Sequence, residues 1–416
     1  MAWVAPMDDR PETAHAPVFR GPSGSSHKLV DPEEVAEVAS ALPSMDIAER
    51  TKRYAAIEDY RKRPMIVYAT STRPGVRAQM AGDAVREFID QLDKVVAGDA
   101  IDILVHSSGG DALTAWKLMS VLRERFKNVA VLVPFAAFSA ATIFALGADE
   151  IVMHPHASLG PIDPQIAVKL PDGKIRGFAY EDLGAFLSFL QHDMKLTEQK
   201  YTSSVVDKLF STVDPLVVGA AKRASDLSVD VGARLLSMHQ PDDRKAKQIA
   251  LNLNKSFFAH GDAVSRQRAL KLELPVAKKA DARLEALLWD AYLGIETYME
   301  LRRPFDALQT FLADPTAAAS FVPTAPLLLP SNTPPQVVKQ AWEAAANNAL
   351  QAAQAGGVEV KFTLLNALIE SPRAASEFRT TGGISAFRIP GGEVRVHVVE
   401  TATGWNPVAI PAAAGA

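Results

Sequence analysis

Short runs of consecutive apolar residues alternate, early in the chain, with longer stretches in which apolar residues recur every three or four positions. Met65-Ile66-Val67-Tyr68-Ala69, Ile101–His106, Val129–Val133 and Ile151–Met153 are of the first kind, the signal of strands buried on both faces. Gly82–Val96 is of the second kind, with Val85, Phe88, Ile89, Leu92 and Val96 at helical spacing. So is Ala112–Phe126, which places Ala115, Leu118, Met119, Leu122 and Phe126 on one face. Strands alternating with helices predict parallel pairing through right-handed crossovers, an α/β fold. Further on, the pattern is helical over Tyr180–Leu190, Thr197–Phe210, Asp214–Met238, Asp242–Leu253, Val264–Leu272 and Ala282–Glu300.

The two ends read differently. Met1–Lys28 is rich in Pro, Ser, His and Gly without a period and is expected to be a mobile arm. Asp31-Pro32-Glu33-Glu34 is a helix-start signal, so a broken helical lead-in is expected to reach about Tyr60. Phe321–Pro335 (FVPTAPLLLPSNTPP) holds too many prolines to continue a helix and reads as a linker. Beyond it come a helix, Gln336–Ala355, and a hairpin, Ile384–Ile389 with Val394–Glu400 around Pro390-Gly391-Gly392. The expected organisation is an arm and lead-in over 1–60, a core over 61–310, a linker over 311–335 and a smaller α+β region over 336–416.

Val129–Ala148 carries no charged residue, which is long enough for a membrane span. The crossover spacing needs a strand at its start, however, and Pro134 breaks the run where a spanning helix would continue. A buried strand followed by a buried helix is therefore expected, with no stable membrane span. The net charge of −4 is spread without large blocks, which argues against nucleic acid as the main partner. The chain has no cysteine, which excludes disulfides and thiolate chemistry and fits a reducing, cytoplasmic setting. No secretory signal opens the chain. No metal site is expected: H-E-x-x-H spacing is absent, and the pair His154-x-His156 reads as structural. No phosphate-loop or dinucleotide string is present, so no cofactor is expected.

Two features follow strand ends, where α/β folds place their sites. Ser107-Ser108-Gly109-Gly110-Asp111 sits between a strand and a helix. Its glycines suit a tight turn, or expose N–H groups that bind an oxyanion. Phe138-Ser139-Ala140-Ala141 opens the next helix. Ser139 there is a helix cap or an accessible nucleophile. Together the two make the minimum for acyl transfer, with Gly109, Gly110 and Ala140 as oxyanion or substrate contacts. Asp111 and Asp163 either orient such a site or cap helices.

The string from Ser107 to Gln165, SSGGD followed by FSAATIFALGADEIVMHPHASLGPIDPQ, resembles the Clp-protease/crotonase superfamily. More closely it resembles the serine dehydrogenase proteinase family and signal peptide peptidase A, over about Arg61–Val276. The resemblance implies a ClpP-like sheet, Ser139 as nucleophile and an oxyanion hole from Gly109 and Gly110. It implies peptide or protein substrates and a homo-oligomer. The loop Leu159–Pro164 lacks the histidine of a Ser-His-Asp triad, so a Ser/Lys dyad is the better match. Candidate bases are Lys195, Lys200, Lys208 and Lys222; Lys222, among Ala220, Ala221 and Ala224, is preferred because small neighbours would let its helix bury the amine. His260, in a recurring S-F/Y-x-x-H-G pattern, is either a further base or a turn residue. A crotonase-like acyl-CoA enzyme and a non-catalytic assembly module are the rival readings.

Overall fold

The computed structural model describes residues 46–96, 98–169, 175–196, 198–211, 213–255, 262–278, 282–321, 327–355, 358–388 and 394–410. The expected arm, most of the lead-in, His260 and the hairpin tip lie outside them.

Helix α1 (Ile47–Arg61) starts where the Asp46 carboxylate accepts the Glu49 N–H at 3.0 Å, and stops at Lys62, whose φ is 56°. Strands β1 (Met65–Thr70), β2 (Ala100–His106), β3 (Asn128–Val133) and β4 (Glu150–Met153) follow, with helices α2 (Ala84–Leu92), α3 (Ala112–Arg125) and α4 (Ala140–Leu146) between them. The four strands pair in parallel in chain order. The apolar runs are strands because the sheet is covered on both sides. Ile66, Tyr68, Ile103, Val105, Val131 and Ile151 face α2, α3 and α4, whereas Met65, Val67, Leu104, Leu132 and Val152 face α1 and a later helix. Two more helices, α5 (Pro215–Leu236) and α6 (Asp243–Lys255), close the first side, and α7 (Ala282–Tyr298) closes the second. The uncharged stretch Val129–Ala148 is thus β3, a loop and the seven-residue α4. No helix among the described residues is long and apolar enough to cross a membrane.

In the C-terminal region, strands β5 (Val360–Glu370), β6 (Ala375–Arg388) and β7 (Val394–Val408) extend the same sheet, giving the seven-stranded order β7-β6-β5-β1-β2-β3-β4. β5 pairs antiparallel with β1, Val67 opposite Glu370 and Thr70 opposite Ala367. The chain from Met45 to Ala416 clusters as one unit. The expected hairpin is the outer part of two much longer strands. A smaller hairpin, Gln165–Lys169 with Ile175–Ala179, has no counterpart in the sequence reading.

A buried ionic cluster holds this extension in place. Arg50 of α1 is fully buried and donates to both oxygens of Glu370, at 3.0 and 2.5 Å. The Tyr54 hydroxyl donates to the same carboxylate at 2.8 Å. The Arg50 guanidinium stacks on the Tyr298 ring, and the Tyr298 hydroxyl donates to buried Glu377 of β6 at 2.5 Å. Arg379 pairs with Glu377 as well. At the other end of the strands, Arg61 binds buried Asp102 of β2 at 2.7 Å and Glu150 of β4 at 2.9 Å.

Removing one member of a buried pair strands the other charge, at a cost of about 3–5 kcal/mol. Glu370→Gln and Arg50→Met are each expected to lower the urea midpoint strongly. The double variant should lose less than the sum of the two, as a denaturation cycle will show.

Candidate active site

Ser139 lies at the end of the first covered side of the sheet. After β3, Ala136–Ala137 forms a two-residue strand paired in parallel with Ser158–Leu159. It also meets the end of β2: the Ser107 N–H donates to Ala136 O at 2.9 Å, and the Phe138 N–H donates to Ser107 O at 3.0 Å. Thr142 Oγ1 donates to Ala137 O at 2.7 Å and accepts the Gly160 N–H at 3.0 Å, which fixes the loop from below. Held from these sides, Ser139 takes φ 51° and ψ −118° immediately before α4. A capping serine has extended backbone and accepts an N–H of the first turn. Ser139 does neither, and its side chain makes no capping bond. Such backbone costs a non-glycine residue about 1–3 kcal/mol and persists only where the surroundings impose it.

The two glycines of the neighbouring turn are dictated by contact. Gly109 has φ 114°, and a Cβ on it would lie 2.6 Å from Ser139 Cβ and 3.2 Å from Ser139 Oγ. Gly110 has φ 152°, and its Cβ would lie 2.1 Å from Met80 O. Met80 is bonded across this turn, donating its N–H to Gly109 O at 2.7 Å and accepting the Asp111 N–H at 2.8 Å. The Gly109 N–H donates to Ser107 Oγ at 3.0 Å. Ser107 Oγ in turn meets Thr70 Oγ1 at 2.7 Å, both residues being fully buried. So the Gly109 amide, expected in the oxyanion hole, is engaged within the turn. Among the described residues, no hydrogen bond engages the N–H of Gly110 or of Ala140. Asp111 caps α3, accepting the N–H groups of Leu113 and Thr114.

The basic candidates are elsewhere. Lys222 sits on α5 with its side chain 45% exposed, 2.5 Å from Asp226. The hydrogen bond to Asp226 raises its pKa, the direction opposite to that of a general base. The expected burial of this amine is not found: Ala221 turns into the core, and Lys222, one position on, turns out. Lys195, Lys200 and Lys208 are exposed. Asp163 is buried and accepts from Gln165 Nε2 at 2.9 Å. His154 and His156 pack with Trp289, His154 stacking on the indole at 5.0 Å. The fully buried His106 was not singled out in the sequence. Its Nε2 meets Thr72 Oγ1 at 3.1 Å, it packs against Phe135 and Tyr292, and burial pushes its pKa down to about 4. Met80, Ser107 and Thr70 were also missed as parts of the site. Only the repeated serine of the SSGG string hinted at Ser107.

Residues 86–182 match the model of the ClpP-like SDH-type serine proteinases. This stretch, which carries Gly109, Gly110 and Ser139, is of ClpP-like serine peptidase type. An uncharacterized protein of Methanocaldococcus jannaschii is 41% identical over 188 residues, 45% of this chain and 56% of that protein. A second uncharacterized protein of that organism is 28% identical over 176 residues, 42% of this chain and 53% of its own length. The chain thus spans about half the length of the curated relatives it matches. Among solved structures, a serine-to-alanine mutant of the 1510-N membrane-bound stomatin-specific protease covers 53% of this chain and 83% of its own, at 16% identity and a TM-score of 0.32.

Glycine tolerates the backbone that Ser139 is held in, so Ser139→Gly is expected to be more stable than Ser139→Ala by about 1 kcal/mol in thermal denaturation. His106 gives a second outcome. Its folded pKa of about 4 lies below the ordinary histidine value of 6.5, so the unfolded chain takes up a proton that the folded protein refuses. Stability should therefore fall as pH drops from about 6.5 through 4, by on the order of 3 kcal/mol. His106→Gln should flatten that part of the stability–pH curve.

Proposed function

We propose that this protein is a serine peptidase in which Ser139 Oγ attacks the carbonyl carbon of a peptide bond. The hydroxyl proton passes to a general base and then to the departing amine. An acyl-enzyme forms on Ser139, and water releases it by the same route reversed. The free N–H groups of Gly110 and Ala140 are the oxyanion donors. Gly109 serves by lacking a side chain, which keeps the approach to Ser139 open. The observation that carries the reading is Ser139 itself, held at φ 51° before α4, uncapped, against a turn that only glycines can form.

Lys222 is the base in this reading. Its amine must be neutral to act, so the Asp226 pair has to open and the amine has to lose water when a peptide covers α5. The reading extends to peptide or protein substrates and to a homo-oligomer in the cytoplasm.

A fluorophosphonate probe tests the nucleophile. The intact protein should be labelled and Ser139→Ala should not; no labelling of a protein with native circular dichroism overturns the reading. The base is tested by acylation rates. Lys222→Ala should slow acylation about 100-fold or more while leaving the melting temperature in place. If Lys222→Ala acylates at the full rate, the role passes to Lys208 or His260, whose alanine variants complete the comparison.

A further inference from the structure

A cavity of about 610 Å³ is bounded by β1, β5, β6 and β7 and by the segment Val76–Asp83. Met80, the residue that bonds to the Gly109–Gly110 turn, belongs to the same segment. At the floor is Asn366, 6% exposed, the extra residue of a bulge in β5. Its Nδ2 donates to Arg77 O at 2.8 Å. A carbonyl oxygen can only accept, so this bond settles which end of the amide is which. The other end, Oδ1, is buried and has no partner. A buried acceptor left unmet costs free energy, so a donor entering the cavity would gain a partner there.

The walls define what that is. Phe378 and Trp405 meet edge to face at 5.5 Å and line one side. Asp83 lines the rim; it precedes α2 but does not cap it, and its Oδ2 accepts the Trp405 indole N–H at 2.8 Å. Tyr68 closes the floor, fully buried, with its pKa raised by burial and then by the charge of Asp83. Asp83 and Tyr68 thus line the same cavity. An acceptor without a donor, a carboxylate and an aromatic wall together match a side chain with an apolar stem and a cationic tip. The exposed Arg77 also lines the rim and sets a limit: the site takes one cation reaching the floor, at the cost of some repulsion at the mouth.

We infer that this cavity is the subsite for a lysine side chain of the peptide that Ser139 cleaves. This rests on the peptidase reading. The segment Val76–Asp83 borders the cavity and, through Met80, the candidate oxyanion turn. An extended peptide advances about 3.3 Å per residue, so one chain can serve both.

Binding to the Ser139→Ala protein tests this without requiring hydrolysis. The probes are fluorescent eight-residue peptides that carry lysine or norleucine at each position in turn; the two share a stem and differ in the ammonium. At one position lysine should bind about tenfold or more tighter than norleucine, the effect of a charged hydrogen bond. Asp83→Asn, at an exposed position, should remove most of that preference and leave norleucine binding unchanged. Asn366→Ala should do the same, with its fold checked by circular dichroism, and Arg77→Gln should strengthen lysine binding. Equal affinity for lysine and norleucine at every position overturns the inference, as does a lysine preference that survives Asp83→Asn and Asn366→Ala combined. Fluorophosphonate labelling of Ser139 without a lysine preference would sink this inference and leave the peptidase reading standing. A lysine preference without labelling would keep the cavity and sink the reading.

Discussion

Two backbones approach each other here more closely than side chains allow. The turn after β2 and the loop after β3 touch at Gly109 and Ser139, where one added carbon would sit 2.6 Å from another. Everything around the contact serves to hold it. Met80 clamps the turn from one side through two backbone bonds, and Ser107 ties the turn to the loop through two more. The buried Ser107 hydroxyl, itself bonded to that of Thr70, accepts the Gly109 amide. What is left over is what a reaction would use: a strained serine and two amides without partners. A turn free to relax would let Ser139 fall into an ordinary cap, and the strain would vanish with the site.

That contact sits at the ends of parallel strands, and the strands need a stable edge. β1 would be an edge strand if the sheet stopped there. β5 covers it, and the ion cluster around Glu370 fixes the register, because Glu370 must lie opposite Val67 to reach Arg50 and Tyr54. A buried cluster of this kind is poor at adding stability and good at penalising the wrong pairing. The bulge that places Asn366 at the cavity floor lies a few residues along the same strand. The register that closes the sheet therefore also sets the wall beside the site.

Much of this was legible in the chain. The four parallel strands announced themselves because burial on both faces demands unbroken apolar runs. Ser139 alone read as well as a helix cap, and it stood out only beside the SSGGD turn on the neighbouring strand end. The junction of β5 with β1 was not legible, since its cause is a pair, Arg50 and Glu370, separated by most of the chain, and neither residue alone differs from a surface charge. The expected burial of Lys222 failed for a simpler reason. Its small neighbours do bury, but a helix turns about 100° per residue, so the burial of Ala221 is an argument for the exposure of Lys222.

The position of the sheet narrows the search for the base. His106 is buried, neutral at ordinary pH and adjacent in sequence to Ser107, which makes it attractive on paper. Side chains alternate along a strand, however, and His106 shares the face of Leu104, packed with Tyr292 of α7. α4, which Ser139 precedes, lies on the other face with Val105. The sheet stands between the two, which sets His106 apart from Ser139 and speaks against it as the base of the proposed mechanism. In the proposed mechanism the base would come from the side that α5 and α6 cover, where Ser228 of α5 bonds to Ile162 in the loop after β4. Lys222 belongs to that helix. Its pairing with Asp226 is a solvent-exposed contact of the weak kind. In the proposed mechanism a bound peptide has to separate the Lys222–Asp226 pair as well as strip water from the amine, because exclusion of water alone would strengthen the attraction.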